Sequence, residues 1–198
     1  DIDIVLLKNI IIMKKIIITI ICITCLSISN AQEKLDINIL NSTIKWTGEY
    51  TFYFGGHEGF IKFKEGYFIK TDDVITGGEF IIDMNSITNT DIEVKKANKD
   101  LVDHLKDPDF FDVKKHPLSK LVITSVKYFE DETMRINASL TIKDITKPIT
   151  FNATPNYQEK SLATKFKIDR REWNVSYQSK FKNSVISDAI GFEITIKL

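Results

Sequence analysis

The sequence predicts an all-β domain of antiparallel strands, a barrel or a sandwich, with one helix inserted between strands. Three observations carry this expectation. Apolar and polar residues alternate with a period of two from Leu35 onward, the connections between alternating segments are short, and a single stretch, Asp91 to His104, changes to helical spacing.

The clearest alternation places Met134, Ile136, Ala138, Leu140 and Ile142 against Arg135, Asn137, Ser139, Thr141 and Lys143. Ile190, Phe192, Ile194, Ile196 and Leu198 alternate in the same way, and Leu162 to Ile168 does so less strictly. Such strands put one face on a core and the other in water. Similar segments are Thr43 to Thr47, Glu49 to Gly55, Gly59 to Phe63, Tyr67 to Thr71, Gly78 to Met84, Leu121 to Phe129, Thr150 to Tyr157 and Trp173 to Tyr177. Loops are expected at Lys64-Glu65-Gly66, Thr71-Asp72-Asp73 and Asp144 to Pro148. Within Asp91 to His104, continuing to Leu105, the residues Ile92, Ala97, Leu101 and Leu105 fall near a 3.6-residue spacing, and Asp107-Pro108-Asp109 stops the helix.

Composition narrows the function. The 198 residues are 43% hydrophobic and 27% charged, enough apolar material for a core and far from a disordered composition. The 27 basic and 27 acidic side chains cancel, so the basic excess of a nucleic-acid-binding surface is missing. Met13-Lys14-Lys15, the apolar run Ile16 to Ile28 and Ser29-Asn30-Ala31 have the layout of an export signal. Residues 1–31 are therefore expected to be a signal peptide, with 1–12 an over-extended start. Residues 32–198 are expected to form one domain, periplasmic or secreted after cleavage near Ala31. After the two lysines the apolar stretch falls short of the ~20 residues that span a bilayer. Both cysteines, Cys22 and Cys25, lie in this leader, which leaves the domain without disulfides, a cysteine nucleophile or thiolate metal ligands.

Catalytic and metal signatures are absent. The three histidines, 57, 104 and 116, make no HExxH-like spacing, and no nucleophile elbow, phosphate-cradling loop or dinucleotide fingerprint occurs. Neither a metal nor a cofactor is expected. Arg170-Arg171 beside Trp173 suits either an anionic head group or a surface ion pair. Aromatic residues make up 11% of the chain, and Trp46, Phe52, Phe54, Phe60, Phe63, Phe80, Phe166, Trp173 and Phe192 fall on expected strands. Composition leaves open whether they fill a core or line a ligand cavity.

The order of motifs resembles the YceI-like family, periplasmic lipocalin-like barrels that bind polyisoprenoid lipids. Ser42 to Gly48 resembles its S-x-x-x-W-x-G strand, and His57 to Phe63 its H-x-G-x-x-x-F strand. Gly78 to Ile87 is similar to G-x-F-x-x-D-M-x-S-I, and His104-Leu105 through Phe110-Phe111-Asp112-Val113 to Pro117 is similar to H-L-x-x-x-x-F-F-D-V-x-x-x-P. Leu140 to Ile149, Ile168 to Val175 and Ile186-Ser187-Asp188 resemble its later hairpin and strands. Lys143-Asp144 stands where the family often has His-Gly, Asn174 where it usually has Gly, and Thr51 to Gly55 is bulkier than typical.

The resemblance implies an antiparallel lipocalin-like barrel of about eight or more strands with one short inserted helix. It implies a non-enzymatic protein holding a polyisoprenoid or similar long-chain amphiphile in an apolar lumen. The ligand-binding residues would be Trp46, Phe52, Phe54, His57, Phe63, Phe80, Phe110, Phe111, Phe166, Arg170, Trp173 and Phe192. Partners would be a long-chain isoprenoid or acyl lipid and no nucleic acid, with room for transient membrane contact and a homodimer. Competing readings are a hydrolase or isomerase of such lipids using His57 or His104, and a structural sandwich with a filled core.

Overall fold

A computed structural model describes residues 13–14, 32–50, 55–175 and 186–198. The chain divides into two units, Asp1–Gln32 and Glu33–Leu198, and the sheet from Glu33 onward belongs to the second. Its strands are β1 (Gln32–Asp36), β2 (Thr43–Tyr50), β3 (Gly56–Thr71), β4 (Val74–Asp83), β5 (Leu118–Tyr128), β6 (Met134–Ile142), β7 (Ile145–Asn156), β8 (Ser161–Asp169) and β9 (Ile186–Lys197). Helix α1 (Lys95–Lys106) lies between β4 and β5. The sheet runs β1-β3-β2-β9-β8-β7-β6-β5-β4, and a β3–β4 ladder joins its two sides. Strands β2 to β9 thus close an eight-stranded antiparallel barrel, with β1 added on β3. This is the lipocalin-like architecture that the resemblance implies.

Period-two patterning becomes inside and outside. Along β6, Met134, Ile136, Ala138, Leu140 and Ile142 are all buried, and the residues between them face outward. β2 turns Ile44, Trp46, Gly48 and Tyr50 inward, while β9 turns Ile190, Phe192, Ile194 and Ile196 inward. The Asp72-Asp73 and Lys143-Asp144 hairpins each have two residues at positive φ, the turn whose twist matches the flanking strands.

Four sequence expectations are corrected. Lys64-Glu65-Gly66 is no loop: β3 runs unbroken through it, with a register shift against β4 between Phe63 and Glu65. That bulge switches parity, so Phe63 and Phe68 both point inward although they are an odd number of residues apart. Asp144 to Pro148 is no loop either, since only Lys143-Asp144 turns and β7 starts at Ile145. Pro148 is tolerated there because this half of β7 pairs with β6 alone, and the missing N–H faces no partner.

Trp173 does not start a strand. Asp169 accepts from the Arg171 N–H at 3.0 Å and winds Arg170–Trp173 into a 3-10 turn, which Asn174 ends in the left-handed conformation. Asn is the side chain that best replaces Gly at such a position. The expected segment's end, Ser176-Tyr177, lies outside the described residues. Finally, α1 starts at Lys95, later than the spacing suggests. Asn98 Nδ2 donates to the carbonyls of Asn89 and Ile92 (3.0 Å each), and the Ile92 N–H donates to Asn89 Oδ1 (3.0 Å), tying residues 89–92 into a turn.

The segment after β4 seals β3. Thr88 and Thr90 donate backbone N–H groups to the carbonyls of Phe60 and Glu58 at 2.9 Å, and Trp46 Nε1 donates to Thr88 O at 3.0 Å. The approach is so close that a Cβ on Gly59 would lie 1.8 Å from the Thr88 carbonyl oxygen. Gly59→Ala should therefore destabilise the protein by about 1–3 kcal/mol in urea unfolding. An unchanged unfolding midpoint would show that this contact is not rigid.

Candidate functional site

The inward side chains do not meet across the barrel. They enclose a cavity of about 170 Å³ whose wall is almost wholly apolar. An apolar cavity of about 150 Å³ takes one benzene-sized guest, so this space admits a chain segment of about six to eight heavy atoms. Ile61, Phe63, Phe68, Phe80, Ile123, Ile136, Leu140 and Ile190 form much of the wall.

Aromatic pairs brace it. Phe80 meets Phe63 (ring centroids 6.0 Å) and Phe68 (5.0 Å) on one side. Phe166 stacks on Phe151 at 4.6 Å and leans on Phe192 at 5.6 Å on another. Leu101 and Leu105 of α1, with Phe110 and Phe111 just beyond it, cover one end. Phe110 is held there because the Lys143 ammonium donates to its carbonyl at 2.8 Å and to the Asn174 carbonyl at 3.2 Å. Lys106 Nζ donates to Asn85 O at 2.7 Å and ties the end of α1 to the exit of β4.

Polar groups gather toward this end. His57 Nε2 lies 2.9 Å from the Tyr50 hydroxyl, and Nδ1 lies 2.8 Å from Asp91 Oδ2. Asp91 also accepts the Glu58 N–H at 2.8 Å and a short bond from Asn89 Nδ2. Burial acts to raise its pKa. The bonds from Glu58, His57 and Asn89 together outweigh that and hold the carboxyl below the usual carboxylate range. Such a fixed, ionised acceptor orients the imidazole, and Tyr50 and His57 both border the cavity, where the Tyr50 hydroxyl can accept a hydrogen bond from a polar head.

Arg170 is 5% exposed and also borders the cavity. Its guanidinium donates to the carbonyls of Ser187 (3.2 Å) and Val175, and to Asp188 Oδ1 at 3.1 Å. Burial pulls its pKa down, with Asp188 opposing. Arg171 takes the surface ion-pair reading instead, bonded to Asp169 and Asp188, and the Asp169 bond pushes its pKa up. One potential cation cluster occurs among the described residues: His104, Asp107 and Asp109 bring one ligand atom each to within 4.8 Å of one another, with both carboxylates exposed.

Of the residues singled out from sequence, Trp46, His57, Phe63, Phe80, Phe110, Phe111, Phe166, Arg170 and Phe192 all border this cavity. Phe52 and Phe54 lie outside the described residues. Trp173 is buried, but it is not part of the cavity wall, and its indole N–H is spent on the Leu140 carbonyl at 3.0 Å. Tyr50, Phe68, Phe151 and the aliphatic rows were not singled out, although the alternation that marks β2 and β6 carries Tyr50, Ile136 and Leu140. Phe68 was hidden by the bulge, and Asp91 reaches His57 only through the fold.

The YceI-like domain profile matches residues 32–198. The chain belongs to the YceI-like family. This is a family of barrel proteins, consistent with holding a hydrophobic ligand, and not a known class of enzyme. Curated relatives named "UPF0312 protein" include one from Pseudomonas putida strain F1, 47% identical over 57 residues (29% of this chain, 30% of that protein). Another, from Pseudomonas savastanoi pv. phaseolicola, is 40% identical over the same length, so the chain spans less than a third of the relatives it matches. Among solved structures, Burkholderia cenocepacia BcnA superposes with a TM-score of 0.67 at 17% identity, covering 81% of this chain and 98% of that one, a likeness of fold.

The Asp91 contacts have a pH signature in this YceI-like barrel. A carboxylate whose folded pKa is depressed contributes stability that is complete above its unfolded value, about 3.9, and is lost as pH falls through the folded value. Asp91→Asn should therefore be less stable than the parent at neutral pH. The gap should narrow below roughly pH 4. A gap in urea unfolding that stays constant down to acid pH would contradict this role.

Proposed function

We propose that the protein is a non-enzymatic carrier that holds a long-chain amphiphile, a polyisoprenoid or an acyl lipid, in its barrel and moves or sequesters it outside the cytoplasm. The observation that carries this reading is the apolar cavity bounded at one end by Tyr50, His57 and Arg170. A wall of isoleucine, leucine and phenylalanine rewards a chain, and the polar end accommodates its head group. At about 0.8 kcal/mol per buried methylene, six to eight chain atoms contribute about 5–6 kcal/mol, at the lower end of the cost of association. Head-group contacts then decide the affinity. A full polyisoprenoid exceeds the enclosed volume, so part of its chain extends beyond the cavity or swells it.

Export is supported by the leader pattern of Lys14-Lys15, Ile16 to Ile28 and Ser29-Asn30-Ala31. Protein recovered from the extracytoplasmic fraction should begin at Gln32 on N-terminal sequencing. A chain that still begins at or before Met13 would contradict export by cleavage.

Native mass spectrometry of protein purified from its own cell should reveal a co-purifying lipid. Stripped protein should bind dansylaminoundecanoic acid, with fluorescence rising as the probe leaves water. Leu121→Trp, which fills the cavity from β5, should weaken this binding roughly tenfold or more while the fold persists. A stripped protein that takes up no long-chain prenyl or acyl ligand overturns the carrier reading.

A further inference from the structure

The barrel wall is not uniform. β6 pairs with β7 through nine residue pairs, and β8 pairs with β9 through nine, but the β7–β8 ladder has four, from Ala153↔Thr164 to Asn156↔Ser161. Beyond Ala153 and Thr164 the two strands separate. Ile145 to Asn152 pair only with β6, and Lys165 to Asp169 only with β9.

Side chains close this seam in place of a ladder. Thr164 Oγ1 donates to Asn152 O at 2.7 Å, and Phe151 stacks on Phe166 with their planes 15° apart. Nearer the hairpin, the Arg170–Trp173 turn spans the separation, held by the Trp173 bond to Leu140 O, the Lys143 bond to Asn174 O and a Lys147–Glu172 pair at 3.6 Å. Phe151 and Phe166 are also cavity wall. On the outside, an open groove along Lys45, Asn152, Thr154 and Lys165 shares Thr164 and Ile194 with the cavity. The groove lies over β2, β9 and the laddered part of β7–β8 and reaches the seam at Asn152 and Lys165.

We propose that the β7–β8 seam is a lateral portal through which the apolar chain of the ligand passes between the cavity and the outside, with the Phe151–Phe166 stack as its door. The proposal rests on the reading of the cavity as a lipid site. Along the other described strand pairs a chain crossing the wall must break a run of paired backbone groups, whereas beside the Phe151–Phe166 stack it must turn two rings and release the Thr164–Asn152 bond. Pro148 suits this role, because it keeps the unladdered edge of β7 from recruiting another strand.

The test is stopped-flow binding of dansylaminoundecanoic acid to the full chain with Cys22 and Cys25 replaced by Ser. Thr150→Cys with Lys167→Cys, both exposed and on opposite sides of the seam, allows it to be locked by a disulfide or a short bis-maleimide. The portal predicts that locking slows association by roughly tenfold or more, that reduction of the disulfide restores it, and that equilibrium affinity changes little. Phe151→Ala, needing no cross-link, should speed both association and dissociation. Association at the unlocked rate after locking, or a Phe151→Ala effect confined to dissociation, overturns the portal. Failure of the unlocked protein to bind the probe at all counts instead against the carrier reading.

Discussion

Closure of the sheet through the β3–β4 ladder is the constraint on which the remaining structure depends. Eight strands give an interior at the boundary between a barrel filled by its own side chains and one that holds a small guest. Which side of that boundary applies is decided residue by residue. Gly48 and Ser119 in the wall leave space that larger residues would take, while phenylalanines elsewhere prop against one another, not against the opposite wall. The cavity is a consequence of strand number and of where the small residues fall.

The two ends of the barrel are built differently. Hairpins such as Asp72-Asp73 and the turn after β7 gather at one end. At the other, α1, the Phe110-Phe111 corner and the Arg170–Trp173 turn are laid over the opening and tied by Lys106, Lys143 and Trp173 to backbone carbonyls. Arg170 is part of this scaffold as well as of the cavity wall. Three of its donors already serve Ser187, Val175 and Asp188, so its charge is largely committed before any ligand arrives. Both ring nitrogens of His57 are likewise spent, on Tyr50 and Asp91, so polar recognition falls to the acceptor side of the Tyr50 hydroxyl and to the two N–H groups that Arg170 keeps.

Much of this was legible in the sequence because alternation reports burial directly. The β6 and β9 rows, the hairpin turns and the motif order lead to the barrel, and most of the aromatic positions named from them border the cavity. What stayed hidden is non-local. The bulge at Phe63/Glu65 reverses parity without any glycine-proline signal strong enough to separate it from a loop. Pro148 reads as a strand breaker until β7 is seen to be an edge there. Trp173 reads as a strand residue until Asp169 and Asn174 are seen to bracket a turn. The His57–Asp91 contact joins residues 34 positions apart, and no spacing rule announces it. β1, short and mostly polar, has no alternation to find.

The hollow interior itself is most directly tested by diffraction from lipid-free crystals held under xenon, a gas that enters dry apolar cavities. The account predicts xenon density inside the barrel, among Phe63, Phe80, Ile123, Ile136 and Phe166. A barrel that takes up no xenon there, with those side chains in mutual contact, would contradict it.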